Sequence, residues 1–308
     1  MITVRDAVAR LPNGPGVYRF RDERGRALYI GRARDLRHRV ASYWGDLGDR
    51  GHLARMVARI AAVEAVACAS AHEAAWLERN LLERAKPYWN RTRGGQEVPV
   101  YVRLRARARP KIIHTAEVAG DFGPYLGGHR VRTALAGIDR LLPVTYTRPG
   151  ATGSERDMAR VRGVDRTTDA SLHALIRRIL ERDPEVCAAL LGELARRRGA
   201  AAADLSFEIA AQLQREIEAV EWLTSPQRVT RRGQGRQQLQ GWADGVLVEF
   251  QVRNGSIDEW TLRDSPEPPA GLELNPPEWL VFLTAAATLA ASLRHGSHDP
   301  APVASSGS

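Results

Sequence analysis

Gly16-Val17-Tyr18-Arg19-Phe20-Arg21 and Ala27-Leu28-Tyr29-Ile30, with Gly31 next, decide how this chain is read. Both runs are short and β-prone, and the charged, glycine-containing loop Asp22-Glu23-Arg24-Gly25-Arg26 joins them, so a β-hairpin is predicted. Tyr18 and Tyr29 then stand on neighbouring strands. Working outward, Thr3–Leu11 reads as a helix ended by Pro12-Asn13-Gly14-Pro15. The arginine-rich stretch Asp35–Trp44 reads as another, and its Arg39 and Tyr43 are four residues apart, on one face. His52–Ala61 is a further helix and Val63–Ala69 a strand. Ala71–Ala85 is predicted helical from its apolar residues Ala74, Leu77, Leu81 and Leu82, and Pro87 ends it. It carries Glu78 and leads to Lys86-Pro87-Tyr88-Trp89-Asn90. The β-β-α-α-β-α order describes a compact α+β domain over residues 1–95, a small antiparallel sheet flanked by helices.

The chemistry gathered there is specific. Hydrolysis of a phosphodiester needs an activated water, neutralisation of equatorial charge and help for the leaving oxygen. Phenols, guanidiniums and one carboxylate suit that task. Composition agrees: the 308 residues carry a formal charge of +9. Residues 1–150 hold 27 basic against 14 acidic side chains, and residues 151–308 hold 18 against 22. A basic half beside a mildly acidic one suggests a polyanion-binding module joined to something else. Lys86 and Lys111 are the only lysines, and the arginines suit bidentate phosphate contacts. Two cysteines, Cys68 and Cys187, exclude a disulfide framework or a thiolate metal site. The apolar stretch Trp279–Leu293 is too short to span a bilayer, so a cytoplasmic protein without membrane contact is expected.

In motif order and spacing, residues 8–145 resemble the GIY-YIG nucleases, most closely the UvrC-type branch and its shorter relative Cho. The resemblance implies a Mg²⁺- (or Mn²⁺-) dependent endonuclease that nicks double-stranded, damaged or distorted DNA in nucleotide excision repair, on the 3′ side of a lesion. It implies catalytic roles for Tyr18, Tyr29, Arg39, Tyr43, Glu78 and Asn90, with Glu78 the metal-binding carboxylate and either tyrosine the base. One carboxylate with waters suits Mg²⁺. Arg32, Arg34 and Arg37 are expected on phosphate, and neighbouring cations are expected to lower a tyrosine's pKa from about 10. Arg32 stands where the family usually has lysine, which keeps the charge and loses a proton donor. Two other readings compete: a non-catalytic DNA-binding adaptor, and a nuclease of recombination, mobile-element or restriction DNA.

Beyond residue 95, Val98–Arg105 and Lys111–Ala116 read as strands, followed by Phe122-Gly123-Pro124-Tyr125 and a helix from His129 to Leu142. Residues 96–146 resemble the UvrC segment after the nuclease domain. UvrC next carries a cysteine cluster; here Cys187 stands alone, so no iron–sulfur cluster is expected. Residues 147–170 read as a linker, Ala170–Arg198 as one helix, and Leu205–Leu223 as another, all within a helical region 147–224. Residues 204–222 resemble the UVR helix through which UvrC meets UvrB, with Phe207, Ala210, Leu213 and Ile217 as its contact stripe. Packing of that stripe within its own chain is the competing expectation. Residues 225–296 read as a separate module: a flexible connector over Arg231–Gln240, a hairpin turning at Asn254-Gly255, and a final helix after Asn275-Pro276-Pro277-Glu278. A tail over 297–308 reads as disordered.

Overall fold

The computed structural model describes residues 3–45, 51, 53–90, 98–106, 108–115, 121–147, 152–165, 167–231 and 233–295. The expected tail and His52 lie outside them. The fold is α+β, and it divides into two compact units: residues 1–94 with 227–308, and residues 95–226.

Helix α1 (Val4–Arg10) begins at a capping box in which Thr3 and Asp6 satisfy each other's backbone groups. Strands β1 (Gly16–Arg21) and β2 (Ala27–Ala33) form the expected hairpin. Helices α2 (Leu36–Ala41) and α3 (Ala54–Val57) follow, each shorter than the sequence implies. Strand β3 (Ala62–Ala67) pairs antiparallel with β1, so the sheet order is β2-β1-β3 and β2 is an edge. Helix α4 (Ala71–Arg84) is capped by Ser70, whose hydroxyl accepts from Glu73 N–H. Alternation along β1 sends Tyr18 and Phe20 into one core with Leu36, Val40, Tyr43 and Met56.

The second unit contains β4 (Pro99–Arg103), β5 (Lys111–Ile113) and β6 (Phe122–Leu126), in sheet order β5-β4-β6. Helices α5 (Gly128–Leu141), α6 (Gly153–Val161), α7 (Asp169–Leu180), α8 (Pro184–Ala203) and α9 (Phe207–Thr224) complete it. Two sequence expectations are corrected here. The supposed linker contains α6, started by a Thr152–Glu155 capping box that its polar composition concealed. The single helix over 170–198 is two. Asp183 caps a new helix with Pro184 in its first turn, and Arg182 takes a left-handed φ of 65° to make the break.

The chain then returns to the first unit. Strands β7 (Arg236–Ala243), β8 (Val246–Arg253) and β9 (Ser256–Asp264) form an antiparallel meander, and α10 (Leu280–His295) follows a turn at Pro277–Trp279. The hairpin at Asn254-Gly255 is as expected, with both residues at positive φ. The connector expected over Arg231–Gln240 is, from Arg236 onward, a strand. The sequence had also set residues 225–296 apart as a module. In the structure Leu293 of α10 shares the core of Tyr18 and Phe20. Beneath the sheet, the Arg19 guanidinium lies 4.2 Å from the Trp260 ring centroid and donates to the Trp260 carbonyl at 3.2 Å.

Candidate active site

The site is built along the free edge of β2. In an antiparallel pair, backbone groups alternate between facing the partner strand and facing away. Tyr18 pairs with Gly31, so Ile30 and Arg32 on either side turn their N–H groups outward. Side chains take them. The Asn90 amide oxygen accepts Ile30 N–H at 2.9 Å, and its nitrogen donates to Ile30 O at 2.6 Å. Arg32 N–H donates to Glu78 Oε1 at 3.2 Å, and Arg32 Nε lies 3.3 Å from Oε2. Asn90, in the turn Tyr88–Asn90, and Glu78, in the middle of α4, thus meet on one strand edge.

Tyr18, Tyr29 and Tyr43 meet on the sheet face beside that edge. The Tyr18 and Tyr43 hydroxyl oxygens are 2.8 Å apart, and the Tyr29 hydroxyl is also bonded to that of Tyr43. Tyr43 lies just past the end of α2, and Arg39 from the helix sits 5.3 Å from its ring centroid. Gly31 makes the cluster sterically feasible: a Cβ there would fall 2.5 Å from Tyr18 Oη and 2.6 Å from Tyr29 Cε1. Gly16 is equally constrained, since its Cβ would lie 2.5 Å from Val66 O and from Leu36 Cδ1.

The electrostatics differ from the sequence expectation. Burial pushes Tyr18 well above the ordinary phenol range, reinforced by Tyr43 and Tyr29, with Arg39 opposing. Burial also raises Tyr29, helped by Tyr43 and by the Glu78 charge, again against Arg39. Burial raises the Glu78 carboxyl as well, against the pull of Arg32 and Arg39. The arginine cluster does not lower either phenol, because its members diverge. Arg39 alone faces the tyrosines, Arg32 pairs with Glu78, and Arg37 Nε donates to the Leu11 carbonyl at 2.6 Å. Arg34 is exposed just past the end of β2.

The donor set bears on a metal. Among the described residues no group of three or more His, Cys, Asp or Glu side chains gathers to hold an ion. Glu78 is a single hard oxygen donor, largely withdrawn from water and with its charge disfavoured by that burial. A cation that keeps most of its waters fits such a site, and a multi-ligand transition-metal site does not.

The residues expected to bind a partner do not form one surface. Leu213 and Ile217 are buried in the second unit's core with Val220 and Leu223, because Glu216 and Arg140 clamp α9 to α5 by a bidentate pair at 2.7 Å. Ala210 is half-buried, and only Phe207 is open, at 66% exposure, beside exposed Leu205 and Ile209. Leu205 and Ile209 were missed, though both flank the apolar stripe.

Residues 14–91 match the UvrC-like GIY-YIG domain family. The UvrABC system protein C of Chlorobium phaeobacteroides is 36% identical over 144 residues, covering 45% of this chain and 23% of that one. That of Chlorobaculum tepidum is 29% identical over 276 residues, covering 82% of this chain and 44% of the relative. The chain therefore spans less than half the length of these curated relatives. Among solved structures, the GIY-YIG N-terminal endonuclease domain of UvrC from Thermotoga maritima, bound to magnesium, is 30% identical. It covers 28% of this chain and 94% of that one, with a TM-score of 0.26. Residues 14–91 are thus a UvrC-like GIY-YIG domain, in a chain that resembles the N-terminal half of UvrC.

Proposed function

We propose that this chain is a Mg²⁺-dependent endonuclease that makes a single-strand incision in damaged or distorted DNA during nucleotide excision repair, on the 3′ side of the lesion. The observation that carries the reading is the meeting of Glu78 and Asn90 on the β2 edge with Tyr18, Tyr29, Tyr43 and Arg39 on the sheet face beside it. Glu78 is the residue that would hold the cation. A bound Mg²⁺ would neutralise charge developing on the phosphate and ease deprotonation nearby.

The chain's own groups divide the remaining work. Arg39 binds the scissile phosphate. Tyr29 is the general base: it is half-buried, within reach of water, where Tyr18 is wholly enclosed. In its phenolate form it takes the proton of the attacking water as the new P–O bond forms in line; the P–O bond to the departing oxygen breaks, and that oxygen takes its proton from solvent. Tyr43 holds the hydroxyls of Tyr18 and Tyr29 together. Asn90 fixes the β2 edge from which the site hangs. Arg32 and Arg34 remain candidates for DNA backbone contact, as both are exposed. A UvrB-like partner, if engaged through α9, meets its exposed start at Phe207 rather than the buried Leu213 and Ile217.

The test uses a labelled duplex with one bulky lesion, Mg²⁺ or EDTA, and a UvrB-type partner present or absent. One nick 3′ to the lesion, lost in EDTA and in Glu78→Ala with DNA binding retained, supports the reading. Cleavage by Glu78→Ala at the wild-type rate overturns it. Binding without any cleavage favours the adaptor role, and lesion-independent cutting favours another DNA-processing role.

A further inference from the structure

We infer that residues 227–295 brace helix α4 and set its register, with Asn80 and Thr230 as positioning residues for Glu78. The inference rests on the reading of Glu78 as the cation-holding carboxylate. No side chain from this segment has been placed in the candidate site, yet it grips the helix that carries the carboxylate at three levels. In the first turn, Arg228 N–H and Nε donate to Glu73 Oε1 at 2.8 and 3.0 Å, and its Nη2 donates to Oε2 at 3.1 Å. Glu73 is completely buried, so this is a desolvated carboxylate answered by a guanidinium 155 residues away. In the middle, Asn80 Nδ2 donates to Thr230 Oγ1 at 2.8 Å, both residues buried. At the end, Arg84 reaches Glu259 Oε2 at 2.6 Å and Asp258 Oδ2 at 3.5 Å on β9.

Helical geometry gives these contacts their meaning. At about 100° per residue, Glu73, Asn80 and Arg84 fall within roughly 40° of one another around the axis. Glu78 then lies roughly 120–160° away, on the side that meets Arg32 of β2. The helix is held between a site on one side and a clamp on the other. Side-chain contacts at a single level would leave it free to roll, whereas three levels on one face fix both roll and axial position. A carboxylate held through the Arg32 N–H at 3.2 Å and the Arg32 Nε at 3.3 Å depends on that constraint for its aim. Thr230 is itself held in place: its N–H donates to Gln227 Oε1 at 2.9 Å, its carbonyl accepts from Gln227 Nε2 at 2.5 Å, and it bridges to Ser256.

The experiment substitutes Thr230→Val in the 308-residue chain, which keeps the shape and removes the acceptor for Asn80. Expected is a fall in kcat on the order of tenfold with unchanged DNA Kd, and a higher Mg²⁺ concentration for half-maximal cleavage. Amide hydrogen exchange in Leu77–Arg84 should quicken by about tenfold while β1 and β2 keep their protection. Thr230→Ser, which retains the hydroxyl, should restore every readout. Wild-type kcat and exchange in Thr230→Val, uniform loss of protection throughout the unit, or no recovery in Thr230→Ser would overturn the brace. Should Thr230→Val not fold, Arg84→Gln at the partly exposed end of the clamp takes its place, with the same signs expected and wild-type behaviour again overturning it. A wild-type chain that does not cleave defeats the proposed nuclease reading, while the exchange measurement still decides whether this segment holds α4.

Discussion

Asn90 pairs with the backbone of Ile30 through both halves of its amide, accepting from Ile30 N–H at 2.9 Å and donating to Ile30 O at 2.6 Å. It acts as a one-residue substitute for a neighbouring strand. In Asn90→Ala both backbone groups lose their partner, at a cost of about 1–3 kcal/mol where water does not replace it. Expected are a lower melting midpoint and slower cleavage with little change in DNA affinity. Full activity in that variant would remove Asn90 from the proposed site.

Glu78 lends itself to a pH test independent of catalysis. Burial holds its folded-state pKa above the ordinary value of 4.5. The neutral form is therefore favoured by folding, and stability is complete below the unfolded value and declines as pH rises through the folded one. At neutral pH without metal, Glu78→Gln should melt higher than wild type, and the gap should close in acid. Cleavage should be lost at every pH. A lower midpoint at neutral pH would show that the Arg32 pairing outweighs the burial.

Tyr29 and Tyr18 separate by substitution and by pH. A phenol raised by burial is protonated near neutrality, so a rate that needs phenolate rises with pH toward the alkaline limit. Tyr29→Phe should lower kcat on the order of 10²–10⁴-fold and flatten that rise. Tyr18→Phe removes the 2.8 Å contact to Tyr43 and should cost roughly 10–100-fold while keeping the slope. The reverse pattern would make Tyr18 the base.

Gly31→Ala should damage the site through packing alone. Its Cβ would enter space held by Tyr18 Oη and Tyr29 Cε1, at 2.5 and 2.6 Å, and overpacking of this kind costs about 1–3 kcal/mol. Thermal unfolding should show that loss, and cleavage should fall with it. Gly14→Ala is the control, since nothing lies within 4 Å of its Cβ position.

Local signals account for what was legible in the sequence. The hairpin bearing Tyr18 and Tyr29 announces itself by two short β-prone runs and a charged, glycine-containing turn, and Asn254-Gly255 marks the turn between β8 and β9. Strand β7 escaped because Arg236, Gln237 and Gln238 are exposed and polar; the Asp244-Gly245 turn, with φ of 45° and 78°, was the available clue. Spacing brought the candidate site residues into one list, but it could not say that Arg32 would turn to Glu78 and Arg37 to Leu11. Those choices depend on how far each strand or helix runs before it ends. The link from Asn80 to Thr230 had no local signal, since it joins residues 150 apart.

The first unit is written in two pieces, and the 132 residues of the other unit are translated between them. At about 5–20 residues per second, the ribosome needs roughly 7–26 s to cross that interval. Throughout it, Glu73 has no Arg228 and Arg19 has no Trp260. Chains arrested near residue 150 should therefore be cut by protease within α4, while released 308-residue chains resist. Synthesis order alone thus leaves the first piece without these partners until residues 227–295 have been made.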